Sequence, residues 1–371
     1  MAKRLFQILL IQLVCIVAAG STFASSPDTT ATPQHQNTDS PKKKFNAGEF
    51  IFDHIGDSHE WHIATIGHTH VSVPLPIILY SRLRGKVYVF MSSNFHHGHS
   101  AYKGFWLNTE GKLKGKISEA NDDGTLVESA PLPLDFSMKK NVVAVLTSLF
   151  IMLWLFISIA KTYKRNPNVA PTGIQNLIEI IVIFVRDDIV IPSIGEKHYS
   201  SYMPFLLTMF FFIWINNLLG LIPIFPAGAN VTGNIAVTMA LAIFSFGIIT
   251  ISANKHYWKH IVNTPGVPWF LKVPIPIMPV VEITGIFIKP FVLMVRLFAN
   301  ILAGHMIAIV LFSLIFIFGS INVYFGYGIS VISVLLVIFM TMLELLVAAI
   351  QAYVFTMLTA LFIGMATAEH H

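Results

Sequence analysis

Apolar and polar positions alternate in two quite different ways along this chain. From residue 141 onward the pattern is one of long apolar runs broken by short polar segments. Residues 141–160, 202–223 and 231–253 carry no Asp, Glu, Lys or Arg, and each run matches the roughly 20 residues that cross a hydrocarbon core. Two longer runs follow, residues 277–322 and 323–368. At about 1.5 Å per residue each would reach roughly 60 Å as a helix, twice a core of roughly 30 Å. Each run must either fold back on itself or form one strongly tilted helix.

Upstream the pattern changes. Residues 45–138 intersperse short apolar stretches such as "KVYVFMSS" and "FWLNTEGKLKGKI" with Gly and Pro, which predicts a small β-rich domain. Residues 25–44, "SSPDTTATPQHQNTDSPKKK", predict a polar linker. The N-terminus begins with Lys3 and Arg4, continues with an apolar core from Leu5 to Val17, and ends in small residues up to Ala24. That is the layout of a secretory signal peptide over 1–24; a short first membrane helix is the alternative. The fold expected is an all-α polytopic membrane protein of five membrane helices, including a long tilted C-terminal hairpin, over 139–371. A small β-rich extracytoplasmic domain precedes it over 45–138.

Composition agrees. The chain is 54% hydrophobic and 12% charged, against about 25% charge for a soluble domain. Its net charge of +5 fits basic cytoplasmic loops and gives no reason to expect nucleic acid. The loop 161–201 holds Lys161, Lys164, Arg165, Arg186 and Lys197, and the loop 254–276 holds Lys255, Lys259 and Lys272. The connections 224–230 and 319–325 hold neither Lys nor Arg. The positive-inside rule then puts the N-terminal domain outside and the C-terminus in the cytoplasm. The stretch "GIQNLIEIIVIFVRDDIV" is amphipathic and predicts a helix along the inner membrane surface. Cys15 is the only cysteine and lies in the signal segment, so a processed chain forms no disulfide.

Ionisable residues inside the long runs are the candidate chemistry. Between 297 and 368 the only formally charged residue is Glu344; Glu282, Lys289 and Arg296 precede it, and His305 lies nine residues beyond Arg296. Such groups are costly in lipid and commonly mark an ion path. At about 100° per residue, Glu282, Lys289 and Asn300 fall within roughly 40° of Arg296, while His305 projects from the opposite side. Glu344 and Gln351, seven apart, share a face. Turn signals in "GSINVYFGYG", residues 319–328, allow the two runs to form one antiparallel hairpin. Its centre then brings His305 level with Glu344 and Arg296 level with Gln351. His and Glu can exchange a proton once burial and mutual charge shift them. Arginine stays charged and could act only as a fixed charge, holding a partner carboxylate ionised and blocking a leak.

These residues resemble a known family. "RLFANILAGH" followed by "QAYVFTMLTALFIGMA", with "NNLLGLIP", "TGNIAVTMALAI" and "EITGIFIKP", is similar to subunit a of the rotary F-type ATP synthase over about residues 141–371. The resemblance implies a proton-conducting stator subunit of the Fo sector, forming two half-channels against a ring of c subunits beside a subunit b stalk, in a bacterial inner membrane. It implies Arg296 as the essential arginine facing the ring, Asn300 and Gln351 as polar neighbours, His305 and Glu344 in the outer half-channel, and Glu282 near the inner exit. Many bacterial members carry Glu and His at the positions of His305 and Glu344; here the two are exchanged, which preserves one acid and one imidazole. Where some members have an acidic residue, Asn216 and Asn217 stand. A sodium-translocating version and a secondary transporter for an anionic substrate are the alternatives, though no internal repeat of the transporter kind is visible. No GK[ST] phosphate loop occurs, and no catalytic site or cofactor is expected.

The β-rich region is rich in histidine: His54, His59, His62, His68, His70, His96, His97 and His99. A Zn²⁺ or Cu²⁺ site is one reading. A solvated polar surface is the reading adopted.

Overall fold

In the computed structural model residues 56–66, 69–109, 113–121, 130–165, 167, 169–222, 227–262 and 277–368 are described. The expected signal peptide (1–24), the linker (25–44) and His54 lie outside them, as do the side chains of His62, His68 and His70. The described chain divides into two compact units, one holding 56–147 with 222 and 227–229, the other 148–221 and 230–368.

The first unit is built of short antiparallel strands, as the Gly- and Pro-punctuated pattern predicts. Strands β1 (Glu60–Ile66) and β2 (Thr69–Pro74) pair with each other. Strands β3 (Pro76–Ser81) and β4 (Lys86–Met91) form a hairpin. A second hairpin joins β5 (Phe105–Leu107) and β6 (Ile117–Glu119), and β7 (Leu134–Asp135) adds to the free edge of β3. The sheet order is therefore β4-β3-β7. Alternation along β3 and β4 sends Ile77, Leu79 and Phe90 inward, where they meet Phe95, Phe105 and Ile117. Phe90 contacts Phe95 edge-on at 5.4 Å and Tyr102 at 5.2 Å between ring centroids, the preferred aromatic geometry.

Helix α1 (Lys140–Arg165) starts immediately after this sheet. Its first amides would otherwise lack acceptors. The Ser58 carbonyl accepts from Lys140 N–H at 3.1 Å, and Asp57 Oδ1 accepts from Asn141 N–H at 3.1 Å. Beside them the buried His59 meets Asp135, Nε2 to Oδ2 at 2.8 Å, and Lys139 Nζ lies 3.3 Å from the same oxygen. The Ser137 amide donates to Asp135 Oδ1 at 3.0 Å. Burial alone would raise the Asp135 carboxyl. The His59 hydrogen bond and charge, the Lys139 charge and the Ser137 contact outweigh it and hold the carboxyl well below its usual range. Asp57 goes the other way, pushed up by burial despite its amide donor and the nearby Lys139.

The second unit is helical. Helix α2 (Ile174–Phe184) passes through a π-helical turn, Val185–Val190, into the short α3 (Ile191–Ile194). Val185, Ile189 and Val190 are buried, whereas Ile174, Leu177 and Ile180 are exposed. Then come α4 (Tyr199–Leu221), α5 (Ile235–Ser252), α6 (Lys255–Val262), α7 (Ile277–Ile321) and α8 (Val323–Thr367). Among the described residues five helices, α1, α4, α5, α7 and α8, are long and apolar enough to cross a membrane. Both long runs are single uninterrupted helices of 45 residues, so the fold-back alternative falls away. Helix α7 continues through Pro290.

Helix α4 is the most buried of the five, with Leu206, Met209, Phe211 and Ile213 fully enclosed. A helix apolar all round belongs in an interior. Polar side chains lock it to its neighbours. Asn217 donates from Nδ2 to the Ala348 carbonyl of α8 at 3.3 Å and accepts from the Thr232 hydroxyl at 2.5 Å. At Gly364 of α8 a Cβ would collide with the Ser193 carbonyl of α3, so only glycine permits that approach.

Two outcomes follow from these contacts. Asp135→Asn should weaken the junction between β7 and α1 by about 1–3 kcal/mol at neutral pH, because it leaves the buried His59 without its carboxylate. Asp135 is held low in the folded state, so its stabilising effect is full above its unfolded value and is lost as the pH falls through the folded one. Hydrogen exchange over residues 134–141 should therefore differ between variant and parent at pH 7 and converge in strong acid; equal protection at pH 7 would refute the assignment. Asn217→Leu should cost a similar amount, about 1–3 kcal/mol, by leaving the buried Thr232 hydroxyl without its acceptor. A lower unfolding temperature of the detergent-solubilised chain reads that loss, and an unchanged one would argue against the lock.

Candidate functional site

In lipid, only a helix satisfies every backbone group within its own segment, and the apolar runs of α7 and α8 have no other economical state. Their junction is a single residue. Asn322 is extended (φ −155, ψ 132), and its side chain accepts from Tyr324 N–H at 2.9 Å, capping α8. The turn expected somewhere within 319–328 is thus reduced to one residue. Glycine makes that tightness feasible, since a Cβ on Gly326 would stand 2.8 Å from the Gly319 Cα.

The hairpin brings His305 and Glu344 together. His305 Nδ1 lies 3.2 Å from Glu344 Oε1, with 20% of the His305 side chain and 7% of that of Glu344 exposed. Gly304 borders the carboxylate; a Cβ there would sit 3.4 Å from Glu344 Cδ, so a bulkier side chain would push the acid away. Nδ1 donates to the carboxylate when the imidazole nitrogen carries the proton, and a protonated carboxyl donates to Nδ1 when it does not. A proton on either partner can be handed to the other across this distance with little motion.

Arg296 is placed differently. It is exposed on α7, as is Asn300 one turn further on. Among the described residues it makes no hydrogen bond or ion pair. Gln351 is buried at 6% exposure. The level match of Arg296 with Gln351 therefore does not become a hydrogen bond between them among the described residues. Lys289 is half-buried, its ammonium 5.1 Å from the centre of the Phe362 ring of α8, a cation–π arrangement. Glu282 is half-buried near the start of α7.

Further polar groups adjoin this face of α8. Glu344, Ala348 and Gln351 are buried one turn apart, and the Ala348 carbonyl takes the Asn217 amide. Thr232, the partner of Asn217, was not singled out; the signal for it is the Asn/Thr-rich "ANVTGN" between two apolar runs. Asn216 donates to the Phe212 carbonyl at 2.7 Å, and its Oδ1, like the Thr356 hydroxyl, is buried without a protein partner among the described residues. At the far end of α8, Asn254 donates from its amide to the Ala366 carbonyl and from Nδ2 to the Thr367 carbonyl, each at 3.0 Å. Those contacts satisfy terminal carbonyls and tie the end of α8 to the short connection between α5 and α6.

In the first unit the histidines are engaged separately. His59 bonds Asp135, and His97 Nδ1 is 2.7 Å from Glu60 Oε2. Among the described residues no three His, Cys, Asp or Glu side chains converge as a metal centre.

Comparison with known proteins follows the same division. Residues 142–364 match the family ATP synthase A chain, and residues 50–136 match a Domain of unknown function (DUF8433). ATP synthase subunit a of Chloroherpeton thalassium is 43% identical over 242 residues, covering 63% of this chain and 68% of that one. Subunit a of Myxococcus xanthus is 43% identical over 246 residues, covering 64% and 75%. Subunit a 2 of Chlorobaculum tepidum is 44% identical over 242 residues, covering 63% and 64%; this chain thus spans about two thirds of the length of such relatives. With one family matching more than half of the chain, and with relatives this similar, the chain belongs to the ATP synthase A chain family, the a subunits of F-type ATP synthases.

Proposed function

We propose that this chain is the proton-conducting stator subunit of its synthase, working against a ring of c subunits beside the subunit b stalk. The carrying observation is the separation of two kinds of charge on one helix. His305 meets Glu344 in a largely enclosed pair, whereas Arg296 stands exposed without a partner among the described residues. The pair can change protonation; the guanidinium cannot.

In this reading protons enter from the periplasm through His305 and Glu344 and pass to a c-subunit carboxylate. After nearly a full rotation that carboxylate arrives opposite Arg296, whose fixed charge favours its ionised form. The proton leaves by an inner half-channel near Glu282. Asn300, beside Arg296 on the exposed face, and Gln351 supply polar contacts along the route. Arg296 also blocks a direct leak between the half-channels, because a proton carries the same charge. A pair of imidazole and carboxylate suits protons better than sodium, which needs a shell of oxygen ligands.

The orientation rests on the basic loops. Residues 161–201 and 254–276 face the cytoplasm and the first unit faces the periplasm. The bonds from Asn254 to Ala366 and Thr367 support it, since they put the end of α8 on the same side as the basic 254–276 loop. At 45 residues each, α7 and α8 reach about 67 Å and must lie strongly tilted in the bilayer.

Arg296→Ala should abolish ATP-driven proton pumping by inverted membrane vesicles while the complex still assembles; retained coupled pumping would sink the mechanism. His305→Ala or Glu344→Ala alone should slow pumping about tenfold or more, equivalent to ~1.4 kcal/mol on the barrier. The double exchange His305→Glu with Glu344→His should recover much of that loss, because contacting pairs are non-additive. If the exchange is as damaging as the single replacements combined, the two residues do not act as a pair.

A further inference from the structure

The first unit has a surface that conduction does not explain. An antiparallel sheet with one face on a core normally turns a polar face to water. The β4-β3-β7 sheet does not. Register places Val89 opposite Ile78, with Phe136 bonded next to Ile78 on the other side; Val87, Tyr80 and Leu134 form the adjacent row. All six point away from the core formed by Ile77, Leu79 and Phe90. Val87 is 62% exposed, Val89 60% and Phe136 55%. No charged side chain interrupts these rows, and a continuous apolar patch of this kind marks an interaction surface.

We infer that this outer sheet face lies on the membrane surface at which α1 begins. The chain itself supplies the first argument. Pairing with β3 continues beyond β7, through Phe136 N–H to the Ile78 carbonyl at 2.9 Å and Met138 N–H to the Pro76 carbonyl at 3.0 Å. Met138, also exposed, lies two residues before Lys140, where the membrane-length helix starts. Two residues span at most about 7 Å. The edge of the apolar face is thus tethered at the interface, and the bilayer meets it at the high effective concentration of a short linker. A separate protein has no such tether.

The rim supplies the second argument. At the far end of the rows the β3–β4 turn carries Arg82 and Leu83, both exposed. A leucine beside an arginine at an apolar edge suits lipid, the guanidinium reaching headgroup phosphates while the leucine enters the acyl boundary. Tyr80 stands in the row nearest that turn, with an apolar ring and a polar tip suited to the same depth. The acidic Asp135 is turned to the other side, onto His59.

The test uses the full chain in lipid nanodiscs holding one copy each. Cys15→Ser removes the only cysteine. Single cysteines at Val89, Phe136 or Thr109 then carry a polarity-sensitive fluorophore; Thr109 is exposed at the end of the β5–β6 hairpin, whose Phe105 and Ile117 pack on the inner face of the sheet. A nitroxide on lipid near the headgroup should quench the Val89 and Phe136 labels and shift them to the blue, and iodide should leave them bright. Thr109 should show the reverse. Iodide quenching of all three labels alike would overturn the proposal. So would protection of Val89 and Phe136 that appears only in the assembled synthase and without lipid quenching, which would assign the face to a protein partner. Protection that needs two copies in one disc would assign it to a second copy of this chain.

Discussion

An ionisable side chain inside hydrocarbon must be matched, and the α7–α8 hairpin is organised around that demand. Its two helices meet through a one-residue junction at Asn322, with Gly319 and Gly326 in near backbone contact. That closure fixes which residues face each other farther along. His305 and Glu344 come within 3.2 Å, and each supplies what the other would lose to lipid. Leaving either alone would strand a buried polar group, a cost comparable to a lost charge-assisted hydrogen bond. The same rule read at Arg296 gives the opposite result: its partner is not in this chain among the described residues. A permanent cation without an internal partner among the described residues stays exposed on its face of α7.

Much of this was legible in the sequence because the membrane simplifies the physics. Run length fixes helix number when every backbone group must be bonded internally, and five runs became five helices. Hairpin symmetry then matched His305 to Glu344 without any tertiary information. The same arithmetic levelled Arg296 with Gln351, and there it stopped short. Level is a statement about height along the hairpin; contact also depends on rotation about each axis, and Gln351 is buried while Arg296 is exposed. The turn was placed only within ten residues because several Gly and Asn residues compete there. Asn322 prevails by capping α8 with its own side chain.

Less could be read where contacts are non-local. Asn217 and Thr232 sit on different segments, and no period announces their meeting. The hydrophobic pattern of the first unit gave strands, but not which of two alternating faces would be covered. In "PIILYS" both sets are apolar: Ile77 and Leu79 go inward, while Ile78 and Tyr80 remain outside. A sheet that is apolar on both faces leaves its orientation undetermined by sequence, and the register of β3 with β4 and β7 settles it. The histidines show the same limit: the solvated polar surface expected for them does not hold at His59, which is buried against Asp135, while His97 meets Glu60.

Within the first unit the demand already seen at the hairpin recurs at the start of α1. Helix α1 must begin where strands end, and its first amides need acceptors outside the helix. Asp57 and Ser58 provide them, and the neighbouring His59–Asp135–Lys139 group holds the strand that leads in. At the hairpin, polar groups are matched within the membrane; at this junction, they are matched just before it. Only Arg296 among the groups of the long helices is left both charged and exposed without a match in the described chain. Nine residues later on the same helix, about 180° around its axis, His305 is matched. One rigid helix therefore presents an open charge to one side and a closed, titratable pair to the other. Rotating α7 by half a turn would bury the cation and expose the pair, so the azimuth of α7 decides which of the two is open and which is enclosed.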